Sequence, residues 1–100
     1  MSRDPQVLSR VKESLALLAQ QYPGKAIEVR IPPYAAVQCG DGPTHTRGTP
    51  PNVIEMNAET WLKLVTGEIN WSDAYREGLI SASGVRADLS HLLPLRSINE

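Results

Sequence analysis

At Pro23-Gly24 the apolar period of this chain changes from three or four residues to two, and that switch sets the class of fold open to it. Before the switch, Leu8, Val11, Leu15, Leu18 and Tyr22 recur at helical steps, with Arg10, Glu13, Ser14 and Gln21 on the other faces. Asp4 is placed to cap this helix, and Pro5 to open it where a missing N–H costs nothing. Proline disfavours helical backbone in the residue before it and glycine suits the turn, so the helix stops there. After the switch, Ile27, Val29 and Ile31 alternate with Glu28 and Arg30, the pattern of a half-buried strand.

Pro32-Pro33 breaks that strand, and Tyr34 to Cys39 reads as a second one lying beside it. Gly40 to Pro51 is a glycine- and proline-rich loop of unusual length. Asn52 to Met56 resumes alternation, with Val53 and Glu55 opposed to Ile54 and Met56. Asn57 caps a helix carrying Trp61, Leu62, Leu64 and Val65, which Gly67 ends. Asn70 or Ser72 starts a shorter helix with Trp71, Ala74 and Tyr75 on its apolar side, ended by Gly78. Leu79 to Ser83 is compatible with a fourth strand whose Ser81 and Ser83 share a polar face. Arg86 to Leu93 places Leu89, Leu92 and Leu93 on one side of a short closing helix, stopped by Pro94. The expectation from these elements is an α+β fold with about four strands, an N-terminal helix and further helices after the third strand.

At 100 residues the chain is expected to form a single domain over 1–100, since too little remains for a second core. Its apolar runs are short, so no membrane span is expected, and the N-terminus lacks the apolar stretch of a secretory signal. A cytoplasmic location follows as an expectation. Formal charge is −1 and the basic residues are scattered, whereas a phosphate-backbone binder gathers Lys and Arg into a stripe. Nucleic acid is therefore not an expected partner. The single cysteine, Cys39, has no intramolecular disulfide partner.

The run from Asn57 through Trp61, Leu62, Leu64, Val65 and Gly67, then Trp71 and Ala74, then Gly78-Leu79-Ile80 to Gly84, then Leu89 and Leu92, resembles the closing half of the sterol carrier protein 2 fold. Val29 to Tyr34, Gln38-Cys39-Gly40 and Thr44 to Asn52 look like a short actinobacterial branch, the bacterial sterol-carrier orthologues. What the resemblance implies is an α+β fold with a mostly antiparallel sheet of about four strands covered by an N-terminal helix and C-terminal helices, and a hydrophobic cleft for lipids or fatty acyl chains; it does not imply a catalytic group, and no cofactor is expected. Members of that family usually carry five strands, against the four legible here. An empty apolar pocket of ~300 Å³ at ~24 cal/mol per Å³ would cost ~7 kcal/mol, against a total stability of ~5–15 kcal/mol. A large void in so short a chain must therefore be filled by ligand, closed by a second subunit, or absent.

Trp61, Leu62, Val65, Trp71, Leu89, Leu92 and Leu93 are the candidate ligand-lining residues. The same residues equally suit packing of the helices on the sheet, because helical periodicity does not separate a core wall from a cavity wall. Thr44, His45 and Arg47 form a candidate anion-binding loop through hydroxyls, guanidinium and loop N–H groups; the alternative is a surface loop that satisfies its own backbone. Cys39, His45 and His91 lack the spacing of metal ligands, and no acid and base pair is set by spacing. Three functions stay open: non-enzymatic binding or transfer of an apolar ligand, a protein-interaction or homodimerisation module, and an accessory domain. The third rests on a resemblance to C-terminal domains of mycothiol-dependent maleylpyruvate isomerases. Those enzymes carry an upstream helical bundle with metal-binding histidines, and residues 1–25 hold no histidine.

Overall fold

A computed structural model of the chain describes residues 4–42 and 52–95. Helix α1 (Pro5–Gln21) leads into strands β1 (Ile27–Ile31), β2 (Ala35–Cys39) and β3 (Asn52–Glu55), then helices α2 (Ala58–Thr66) and α3 (Trp71–Arg76), and finally strand β4 (Ser81–Ser83). The fold is α+β, with a four-stranded sheet in the order β2-β1-β3-β4.

The outer pairs β1–β2 and β3–β4 are antiparallel, while β1 and β3 run parallel at the centre. β1 and β2 form a hairpin through Pro32-Pro33, whose peptide is cis, and the Tyr34 N–H donates to the Ile31 carbonyl at 2.8 Å. Cys39 and Asn52 both lie beside Ile27, on opposite sides of β1. The two ends thus stand about two strand spacings apart, ~10 Å.

Register divides the sheet into two unlike faces. Ala35, Val37 and Cys39, then Ile27, Val29 and Ile31, then Asn52 and Ile54, then Ala82 share the inner face. Gln38, Glu28, Arg30, Glu55, Ser81 and Ser83 mark the outer one, where Arg30 pairs with Glu28. The polar face expected from the two serines is this outer face. Helix α1 packs on β2 and on α2 over the inner face. Val11, Leu18, Val29, Ile31, Ile54 and Leu64 form the centre of the core.

Helix boundaries follow their local chemistry. The Asp4 carboxylate accepts from the Gln6 and Val7 N–H groups at 2.9 and 3.4 Å. Asn57 accepts from the Thr60 N–H and Asn70 from the Asp73 N–H, each at 2.8 Å. These caps satisfy N–H groups that a helix leaves without intrahelical partners. Gly67 closes α2 in the left-handed region at φ 85°.

Two expectations need correction. Ser14, assigned above to an outer face of the first helix, is buried, because its hydroxyl accepts from the Trp61 indole N–H at 2.8 Å. The closing segment Arg86 to Leu93 is not a helix but a series of turns. The Asp88 N–H donates to the Arg86 carbonyl, the Asp88 side chain accepts from the Ser90 N–H, and the Leu92 N–H donates to the Leu89 carbonyl. The Asp88 carboxylate takes the Ser90 N–H into a local turn, and such side-chain bonds to nearby backbone compete with helical hydrogen bonding. Leu89 and Leu92 are buried all the same.

Candidate functional site

A large concave feature forms where the end of α1, the start of β1, the end of β2 and the closing segment meet. Its first wall begins at Tyr22, the C-cap of α1, whose N–H returns to the Leu18 carbonyl at 2.9 Å. Pro23-Gly24 then turns the chain against β2. A Cβ at Gly24 would lie 1.9 Å from the Gly40 carbonyl oxygen, so only glycine lets the two backbones approach this closely. The Gly40 N–H donates to the Tyr22 carbonyl at 2.8 Å, and the Ala26 N–H donates to the Gly40 carbonyl at 3.1 Å.

The second wall is the closing segment, tied on by Asn52. The Asn52 carboxamide donates to the Ala26 carbonyl and accepts from the Arg86 N–H, both at 2.8 Å. The Arg86 guanidinium donates in turn to the Asp41 carbonyl at 3.2 Å. Between these walls lies a groove of about 880 Å³, open along one side. That size is within the ~300–1,000 Å³ of small-molecule sites.

Tyr22, Pro23, Ala26, Ile27, Val85 and Leu92 supply the apolar surface of the groove. Gln21, Asp41, Arg86, Asp88 and His91 supply its polar part. The Ser90 backbone N–H, then the Ser90 side chain and the nearby His91, hold the Asp88 carboxyl below the usual range. Cys39 is fully buried, and burial pushes its thiol up to about 11, which keeps it protonated and unreactive at neutral pH. Among the described residues no group of three or more His, Cys, Asp or Glu is placed to hold a metal. Such a groove is suited to removing apolar surface from water while leaving a polar end at the rim.

Of the ligand-lining residues expected from the sequence, Leu92 borders this groove. Trp71 and Leu93 border a smaller one, of about 260 Å³, with Leu64 and Gly67. Leu62 lies in a shallow depression between α1 and α2, beside Arg10 and Tyr34. Trp61 and Leu89 are fully buried, and Val65 is half-buried with its carbonyl accepting from the Leu95 N–H. Thus the seven are not gathered round one cavity. Thr44, His45 and Arg47 lie outside the described residues. Nothing in the sequence marks Ile27, Arg86 and Asp88 as sharing one groove, because they come from separate segments with no common period. Asn52 did leave a signal: it is a polar residue in phase with Ile54 and Met56, and a polar group at an inner position requires partners.

A family model described as bacterial SCP ortholog, a sterol-carrier type, matches residues 3–95, which takes in every described element. The chain belongs to that family. No curated protein matches it. No helix among the described residues is long and apolar enough to cross a membrane.

Proposed function

We propose that the chain binds an apolar ligand, a lipid or fatty acyl chain, in the groove between Tyr22–Ile27 and Val85–Leu92, and makes or breaks no bond in it. The observation that carries this reading is the groove itself. Its size suits a small molecule, and Tyr22, Pro23, Ile27, Val85 and Leu92 give it an apolar surface. Membership of a sterol-carrier-type family supports the same role. Affinity would come from burial at ~25 cal/mol per Å² of apolar area, so ~200 Å² of acyl chain contributes ~5 kcal/mol before the entropy of association is subtracted.

The non-catalytic part rests on the groups at hand. The only thiol is buried and held protonated, and two of the charged residues of the groove are engaged with backbone, Arg86 with the Asp41 carbonyl and Asp88 with the Ser90 N–H. A photoreactive diazirine fatty acid tests the assignment. Cross-links are expected in peptides containing residues 21–27 and 85–92, and unlabelled fatty acid should compete them away. Absence of saturable labelling, or competed labelling confined to other segments, overturns the reading.

A further inference from the structure

Asn52 stands at an inner-face position where the strand pattern otherwise places apolar residues. Its partner across the β1–β3 pairing is Ile27, and the next inner residue along β3 is Ile54. It is 3% exposed, and both ends of its carboxamide are used. Rotating the amide by half a turn would oppose its NH2 to the Arg86 N–H and its carbonyl to the Ala26 carbonyl, so the partners themselves dictate its orientation. Each partner belongs to a different wall of the groove: Ala26 to the first, beside Ile27, and Arg86 to the closing segment.

We infer that Asn52 is the positioning residue of the groove, holding the closing segment against the start of β1 and thereby setting the groove's width. This inference rests on the reading of the groove as a ligand site. Asn52 does not line the groove; it completes a continuous strap. Tyr22 carbonyl to Gly40, Gly40 carbonyl to Ala26, Ala26 carbonyl to Asn52 and Asn52 to Arg86 are consecutive hydrogen bonds running from one wall to the other. Asn52 is the one side chain in that run, the other links being backbone groups, so a single substitution opens it.

Asn52→Asp separates this role from simple packing, because the side chain keeps its shape. An ionised carboxylate can accept from Arg86 but faces the Ala26 carbonyl with no proton to donate. Once protonated, it donates there again, and burial against a carbonyl raises the pKa at which this happens. Among the described residues Tyr22, Asp41, Arg86, Asp88 and His91 are the charged and titratable groups that line the groove, and they are common to both proteins, so each pH point is read as a ratio to wild type.

The experiment titrates wild type and N52D with dansyl-labelled undecanoic acid from about pH 8 down to about pH 5. N52D is expected to bind about tenfold more weakly at the alkaline end, and the gap to close on acidification. Equal binding at the alkaline end, or a gap that ignores pH, overturns the inference. Hydrogen exchange in wild type gives a second measurement that depends neither on the variant folding nor on the probe binding. The Asn52 carboxamide protons should exchange far more slowly than those of exposed Asn57, and equally fast exchange overturns the strap. Failure of wild type to bind the probe counts against the carrier reading alone, because the Asn52 exchange rate still decides whether the strap exists.

Discussion

The indole N–H of Trp61 donates to the Ser14 hydroxyl at 2.8 Å, joining α2 to α1 inside the core. The Ser14 hydroxyl donates to the Val11 carbonyl at 3.0 Å, so the serine is satisfied within its helix as well as across the interface. Among the described residues no buried side-chain polar atom lacks a partner. Ser14→Ala leaves the indole N–H buried and unpaired and is expected to cost about 1–3 kcal/mol. Trp61→Phe removes the donor together with its need. In urea unfolding the double variant should therefore cost less than the sum of the two single ones, by about 1 kcal/mol. Additive losses would show that the bond couples nothing.

Gly24 and Gly67 both occupy positive φ, at 141° and 85°, yet their surroundings differ. A methyl at Gly67 meets only Pro94, at 3.6 Å, an ordinary contact. A methyl at Gly24 meets the Gly40 carbonyl at 1.9 Å, and that backbone has no side chain to move aside. Gly67→Ala should cost about 1–2 kcal/mol, the strain of left-handed backbone alone. Gly24→Ala should cost clearly more and should also lower probe binding, because Gly40 must shift and Gly40 borders the groove. Thermal unfolding of the two variants side by side checks the order.

Burial raises the Cys39 thiol from 9.0 to about 11. The unfolded thiol ionises first, so this stabilisation is fully present below pH 9.0, falls as pH rises from there, and is lost by about pH 11. Full loss corresponds to roughly 2–3 kcal/mol. The measurement is the difference between wild type and Cys39→Ala in urea unfolding across alkaline pH. The wild-type curve should fall more steeply. A thiol-specific reagent at neutral pH should label Cys39 only as the protein unfolds.

Much of this fold is legible locally. The α1 stripe, the Asp4, Asn57 and Asn70 caps and the β1 alternation each lie within a few residues, and the structure places each where its chemistry puts it. Non-local features were less accessible. The alternation of Val53 to Met56 is the same for a parallel as for an antiparallel neighbour, so pairing of β3 beside β1 is not written in its own sequence. A leucine spacing of three fits one helical turn and also successive tight turns, which is why Leu89 and Leu92 suggested a helix. The groove was least legible, since Tyr22, Ile27, Arg86 and Leu92 meet only after β1, β2 and β3 have paired. Trp61 and Leu89 instead fill the core.

Val85 and Tyr75 are both exposed apolar residues, but only Val85 borders the groove, while Tyr75 lies on α3 beside Trp71 and Arg76. Neither side chain contributes to the core, so replacing each with aspartate should leave thermal unfolding almost unchanged. Val85→Asp would set a carboxylate against the bound acyl chain and remove apolar contact, a loss of about 1–2 kcal/mol or roughly tenfold in affinity. Tyr75→Asp adds the same charge to the protein without touching the groove. Titration of both variants with the dansyl-labelled acid separates a local effect from a general electrostatic one. Equal weakening of both would mean that net charge governs binding, whereas weakening confined to Val85→Asp places the ligand between Tyr22 and the closing segment.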